Sequence, residues 1–136
     1  MTRITRGYRF VASHRLHSPH MTEAENAELY GKCNNPFGHG HNYSMEVSVS
    51  GEVDRETGRL VDIGALDEYV DRQVIQAFDH RDMNQDIPQF RDVVPTTENI
   101  SKEIRRRLKE QWKFTAVLDG VRIRETERNL FELREH

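Results

Sequence analysis

The chain has one cysteine, Cys33, so no intrachain disulfide can form, which suits a reducing compartment. It has no apolar run near the ~20 residues that span a bilayer, and its first ten residues lack the apolar core of a secretory leader. It has no excess of positive charge: 20 Lys and Arg against 23 Asp and Glu leave a net charge of −3, which gives no electrostatic case for nucleic-acid binding. It has no Gly-rich dinucleotide fingerprint, no repeat and no linker. A soluble, cytoplasmic protein is expected. With 136 residues, the reading is one domain over 1–136. Apolar residues are only 35% of the chain, thin for a lone globule. A sheet with one wet face, or a subunit interface, would supply the missing burial.

What is present is patterned. Residues 3–14 alternate as a strand, with Ile4, Tyr8, Phe10, Ala12 and His14 on one face. Residues 22–31 read as a short helix capped by Thr22 and stopped by Gly31. From Tyr43 the alternation resumes: Tyr43, Met45, Val47 and Val49 face one way and serines with Glu46 the other. DRETG, residues 54–58, is a turn signal that predicts a partner strand near 59–62. Leu66, Val70, Val74 and Phe78 predict a helix over 63–78. Residues 79–95 read as a polar loop. Thr96 or Thr97 opens a second helix with Ile100, Ile104 and Leu108 buried, and two strands close the chain near 116–125 and 129–134. This order argues an α+β domain with an antiparallel sheet and helices on one face.

CNNPFGHGHNY, residues 33–43, carries the chemistry. Residues two apart on a strand share a face, with Cα atoms about 6.5–7 Å apart. His39 and His41 have the parity of Tyr43, and His14 lies on the apolar face of the first strand. Pairing those strands lets three imidazoles converge, and three neutral imidazoles with an open position suit catalytic zinc rather than Mg²⁺ or Ca²⁺. The plainer reading is a buried, satisfied His14 beside a polar loop. Cys33 has three readings: an inert apolar side chain, a fourth ligand that closes a structural site, or a thiolate base beside the metal. Asp79 and His80 form either a helix end or an acid–base pair. Glu125 shares the parity of Val121 and Ile123 and points inward at a strand end. It would either bind a cationic or amide-like donor pair or reach solvent. His17, His20 and His136 lack any such pattern and read as surface residues. The basic run at residues 105–109 reads as a solvated helix face.

FVASHRLHSP, GKCNNPFGHGHNY, FDHRDMN, PTTEN and RIRET, in that order and spacing, resemble the 6-pyruvoyl-tetrahydropterin synthase family over nearly the whole chain. The resemblance implies the tunnelling fold: a four-stranded antiparallel sheet with two helices on one face. It also implies trimers closing a twelve-stranded barrel, two trimers forming a homohexamer, and active sites between subunits. It implies Zn²⁺ on His14, His39 and His41, and Cys33 as catalytic base with Asp79 and His80 as the proton-transfer pair. Glu125 would anchor the pterin, with Thr96 and Thr97 lining its pocket. The reaction implied is conversion of dihydroneopterin triphosphate to 6-pyruvoyl-tetrahydropterin with loss of triphosphate. A related branch, the 6-carboxytetrahydropterin synthases of the queuosine pathway, cleaves the side chain, and its cysteine is typically closer to the His-Gly-His. The longer spacing after Cys33 resembles the pyruvoyl branch, although Phe37 stands where that branch often has a small or polar residue. A third group has glutamate where Cys33 stands. Outside this class, the alternative is a non-catalytic oligomeric module with a structural zinc site. Arg9, Arg15 and Lys32 flank the motifs as candidate triphosphate contacts.

Overall fold

A computed structural model describes residues 1–134; His136, expected at the surface, lies outside them. The first strand, β1 (Thr2–His14), pairs antiparallel with β2 (His39–Gly51) along its whole length. β2 pairs with β4 (Val117–Thr126), and β4 with β5 (Asn129–Arg134). Alternation decides which face is buried. Phe10, Ala12 and His14 from β1, Tyr43 to Val49 in steps of two from β2, and Val121 and Ile123 from β4 all face one core.

That core is closed by two long helical stretches. The first comprises α2 (Ile63–Val70), a π-turn (Asp71–Ile75) and α3 (Gln76–Phe78). Leu66, Val70, Val74 and Phe78 are all fully buried. Four-residue steps rotate about 40° each on an ideal α-helix. The wider π-turn absorbs part of that drift and keeps Val74 and Phe78 on the core side. The second is α5 (Thr97–Glu110), whose Thr96 caps the Asn99 N–H and whose Ile100, Ile104 and Leu108 are fully buried. A shorter helix, α1 (Glu23–Tyr30), has the expected boundaries, a capping box between Thr22 and Glu25, and Gly31 at φ 53° after its end.

Three expectations need correction. Among the described residues the sheet has five strands, not four, in the order β3-β1-β2-β4-β5. The extra strand, β3 (Arg81–Asp82), runs parallel to Ala12 and Ser13. It exists because the outer edge of β1 has unpaired backbone groups there: the Asp79 carboxylate accepts from the Val11 N–H at 2.9 Å, and the His80 N–H donates to the Val11 carbonyl at 2.6 Å. No strand forms at 59–62, because the 54–58 turn closes on itself and Asp62 caps α2, its side chain accepting from the Ala65 N–H. The segment 79–95 is not simply a polar loop. It holds β3, α4 (Met83–Asp86) and a 3₁₀ turn (Pro88–Arg91), and it buries Met83, Ile87 and Phe90.

The opposite sheet face is polar and cross-linked. Arg3 donates to Asp119 at 2.6 Å, Arg122 meets Glu46 at 3.1 Å, and the Thr5 and Ser48 hydroxyls share a 2.7 Å bond. Among the described residues, no helix is long and apolar enough to cross a membrane.

One ion pair ties β1 to α2. Arg6 places Nε and Nη2 at 3.2 and 2.7 Å from the two Asp67 oxygens, and Tyr8 donates to the same carboxylate at 2.7 Å. The Arg6 guanidinium, helped by Tyr8, holds the Asp67 carboxyl below its ordinary range, against the upward pull of burial. A depressed carboxylate stabilises the fold above the unfolded value of about 4 and loses that contribution as pH falls through the folded value. Asp67→Asn should therefore lower the melting temperature at pH 7. The gap from wild type should close as pH falls below about 4, which thermal melts across pH would show. A gap that stays constant into acid would remove the ion pair as its cause.

Candidate metal centre

The register of β1 on β2 builds the site. His14 lies directly opposite His39, and Ala12 opposite His41, so all three imidazoles project from one end of the buried face. β2 extends back to His39, as the parity reading requires. The ring centroids lie 4.9 Å (His14–His39), 5.2 Å (His14–His41) and 4.6 Å (His39–His41) apart. The turn into β2 depends on Gly38, at φ 70°, where a Cβ would stand 3.1 Å from the His14 carbonyl oxygen. Gly40 has ordinary space around it.

Each ring is set by its neighbours. His14 is almost fully buried, with Nδ1 2.8 Å from the Pro95 carbonyl. That carbonyl can only accept, so Nδ1 carries the proton and the Nε2 lone pair faces the cluster. Burial is the first cause that pulls both His14 and His41 down, with Glu125 opposing it, so both rings are neutral near pH 7. Among the described residues, His14 Nε2 and His41 Nε2 are buried without a hydrogen-bond partner. Orphaned lone pairs in neutral imidazoles are the donors a borderline-soft divalent ion takes.

A fourth group joins them. Glu125 Oε1 lies 3.0 Å from His41 Nε2 and 3.8 Å from His14 Nε2, and one donor atom from each of His14, His39, His41 and Glu125 falls within 4.8 Å of the others. Arg124 pairs with Leu130 but Thr126 with Asn129, so Glu125 is the extra residue of a β-bulge. Bulges turn side chains from the regular pleat and occur beside functional sites. The Thr97 hydroxyl donates to Glu125 Oε2, so the start of α5 orients the carboxylate.

The other expected residues are placed as follows. Cys33 is half-buried in a 3₁₀ turn (Gly31–Asn34) and outside the four-residue group, so the structure does not support the fourth-ligand reading. Its turn is tied to the chain just after His14: Leu16 N–H donates to the Cys33 carbonyl at 2.8 Å, and Arg15 Nε to that of Asn34 at 2.9 Å. Arg15 is thus committed to holding the turn, while Arg9 and Lys32 are exposed. Thr97 reaches the site through Glu125, whereas Thr96 caps α5. Asp79 and His80 pair with each other at 3.1 Å on the outer edge of β1, where His80 is 79% exposed, and do not join the cluster. Two contributors had no sequence signal of function. One is the Pro95 carbonyl. The other is Tyr43, read only as core, which is fully buried with its ring against His14 and His41 and its hydroxyl unpartnered.

Gly38→Ala should destabilise the fold by about 1–2 kcal/mol, from the cost of a Cβ in the left-handed region, and lower metal occupancy. Gly40→Ala should do neither. Thermal melts and metal content after loading would show it, and equal behaviour of the two variants would remove the backbone argument. Loss of stoichiometric metal is expected in the His39→Ala, His41→Ala double variant.

The chain matches a family model described as 6-pyruvoyl tetrahydropterin synthase over residues 3–136. It is 42% identical over 127 residues to a protein of Homo sapiens named 6-pyruvoyl tetrahydrobiopterin synthase, covering 93% of this chain and 87% of that one. A protein of the same name from Drosophila melanogaster is 40% identical over 131 residues, covering 96% and 78%. The solved structure of Caenorhabditis elegans 6-pyruvoyl tetrahydropterin synthase superposes with a TM-score of 0.94 at 38% identity, covering 99% of this chain and 96% of that one. The chain therefore belongs to the 6-pyruvoyl tetrahydropterin synthase family, a family of enzymes of tetrahydrobiopterin synthesis.

Proposed function

We propose that the protein converts dihydroneopterin triphosphate to 6-pyruvoyl-tetrahydropterin and triphosphate, with Zn²⁺ held by His14, His39 and His41. The observation that carries this reading is the convergence of His14, His39 and His41, with the Nε2 atoms of His14 and His41 buried and without a hydrogen-bond partner, beside the Cys33 turn in a chain of this family. A bound zinc ion would supply Lewis acidity to the substrate's side-chain hydroxyls.

The chain's own residues do the rest. Glu125 accepts from the pterin amino group and the adjacent ring N–H, a bidentate, charge-assisted contact. Thr97 keeps that carboxylate oriented, and Thr96 fixes the helix start that lines the pocket. Cys33, as thiolate, removes the proton from the first side-chain carbon. The electron pair left there reduces the ring's C=N bond, and protons return to the ring. The first side-chain hydroxyl carbon becomes a ketone. Removal of the proton on the second side-chain carbon then expels triphosphate from the terminal carbon, and the resulting enol passes its proton to that carbon, giving the second ketone and a methyl group. Oxidation of the side chain balances reduction of the ring, so no external redox cofactor is needed.

Asp79 and His80 are the partner proton-transfer pair in this reading. The Val11 N–H, then His80, keeps Asp79 below its ordinary range and so ionised. The pair faces outward, so a second copy of the chain would have to present it to this copy's Cys33. That fits the proposed homohexamer, a dimer of trimers with sites between subunits.

The test is anaerobic incubation of zinc-loaded protein with dihydroneopterin triphosphate, with products identified by mass. The expected product retains every side-chain carbon. A carboxy-pterin with acetaldehyde would instead assign the side-chain-cleaving chemistry, and no turnover by a folded, metal-loaded sample would favour a non-catalytic module. Cys33→Ala should keep its metal and melting temperature and lose about 10²–10⁴-fold in turnover. Mixed oligomers of Cys33→Ala with His80→Ala should recover activity that neither variant has alone.

A further inference from the structure

We propose that Glu125 is a fourth, exchangeable ligand of the metal site in the resting enzyme. It leaves the ion when a pterin ring enters and becomes the group that holds that ring. This assignment rests on the pterin reading above and gives Glu125 a second role within it.

Distance is the first argument. Ligand atoms about 2.0–2.2 Å from a tetrahedral ion lie about 3.3–3.6 Å from one another. Glu125 Oε1 lies 3.0 and 3.8 Å from the two orphaned Nε2 atoms, which brackets that separation. The 3.0 Å contact pairs the carboxylate with the His41 ring and is not aligned as a hydrogen bond. Aim is the second argument. The β-bulge makes Glu125 the extra residue of β4, and the Thr97 hydroxyl occupies Oε2, which leaves Oε1 to the histidines. A ligating carboxylate oriented through its other oxygen is the usual supporting arrangement of metal sites. Charge is the third. Three neutral imidazoles leave a divalent ion at +2, and the carboxylate reduces the site to +1.

The same geometry makes the ligand displaceable. The Glu125 side chain keeps 18% of its surface exposed, whereas His14 keeps 1%. A ring that offers an amino group and an adjacent N–H competes for the carboxylate, and the substrate's hydroxyls take the vacated position. Thr97 remains bonded to Oε2 throughout, so the carboxylate turns about a fixed point.

The experiment uses the full chain with Co²⁺ as the metal, because its visible bands report ligand number and type. Apo wild type, Glu125→Gln and Glu125→Asp are titrated with Co²⁺, after melting curves establish which variants fold. In each folded variant the expected result is about tenfold or greater loss of Co²⁺ affinity, with shifted bands. Affinity within twofold of wild type and unchanged bands in either folded variant would overturn the assignment. Unsubstituted pterin, which has the ring donors and no side-chain hydroxyls, is then added to the wild type, with ring fluorescence reporting binding. The expected result is a shift of the wild-type bands toward those of Glu125→Gln. Ring binding without a shift would overturn the exchange. Turnover of dihydroneopterin triphosphate is measured separately. Its absence in a wild type that still shows the Glu125-dependent bands would sink the pterin reading and leave the ligand assignment standing.

Discussion

The cross-strand pairing of His14 with His39 is the constraint on which the rest of the molecule depends. Side chains alternate with a period of two, so a slip of one residue would turn His14 out of the cluster and the apolar residues of β1 out of the core together. The same register that buries Phe10 against Tyr43 therefore assembles the imidazoles. Stability and site share one specification.

Burying polar rings has a cost that the surrounding elements offset. An unpaired imidazole N–H in the interior is unfavourable by about 1–3 kcal/mol, and the Pro95 carbonyl removes that penalty for His14. Pro95 stands just before α5, whose first residue, Thr97, holds Glu125. The helix start is thus bonded to both sides of the cluster, to His14 through a carbonyl and to Glu125 through a hydroxyl. This explains why residues 95–97 serve the site although none of them touches it as a donor set. Among the described residues, the Nε2 atoms of His14 and His41 are left without a hydrogen-bond partner and lie in one group with His39 and Glu125. The Tyr43 hydroxyl beside them is likewise buried without a partner.

The legible parts of the sequence were those with a period or a cap. Alternation located β1, β2 and the inward faces of His14, His39, His41 and Glu125, and Thr22, Gly31 and Thr96 marked helix ends through their own chemistry. β3 was not legible, because two residues are too short to alternate and their pairing answers a need of β1. The Pro95 carbonyl had no signal, because a backbone acceptor has none. The β-bulge was hidden for the opposite reason: parity alone sends Glu125 inward, but only the register with β5 decides how far it reaches toward the histidines. The strand expected at 59–62 failed where a local bond outweighed a pattern, since Asp62 could cap a helix.

The outward pair on β1 follows from the same economy of backbone bonds. Asp79 and the His80 N–H both bond to the Val11 backbone, and His80 takes φ 60°, unusual for a residue with a Cβ. Two backbone-linked bonds and one disfavoured dihedral hold the pair at the sheet edge, at a cost of order 1–3 kcal/mol for the dihedral. A purely structural edge cap needs only the bonds to Val11, which Asp79 and a backbone N–H supply. The His80 imidazole adds nothing to them and is largely exposed, paired with Asp79. A rigidly mounted, exposed imidazole beside an ionised carboxylate is suited to proton transfer with a group outside its own chain. In the proposed reaction the histidines of the buried face would hold the metal, the Cys33 turn would supply the thiol, and the sheet edge would supply the acid–base pair. In the proposed assembly each copy would complete its neighbour's site with the element that seals its own sheet.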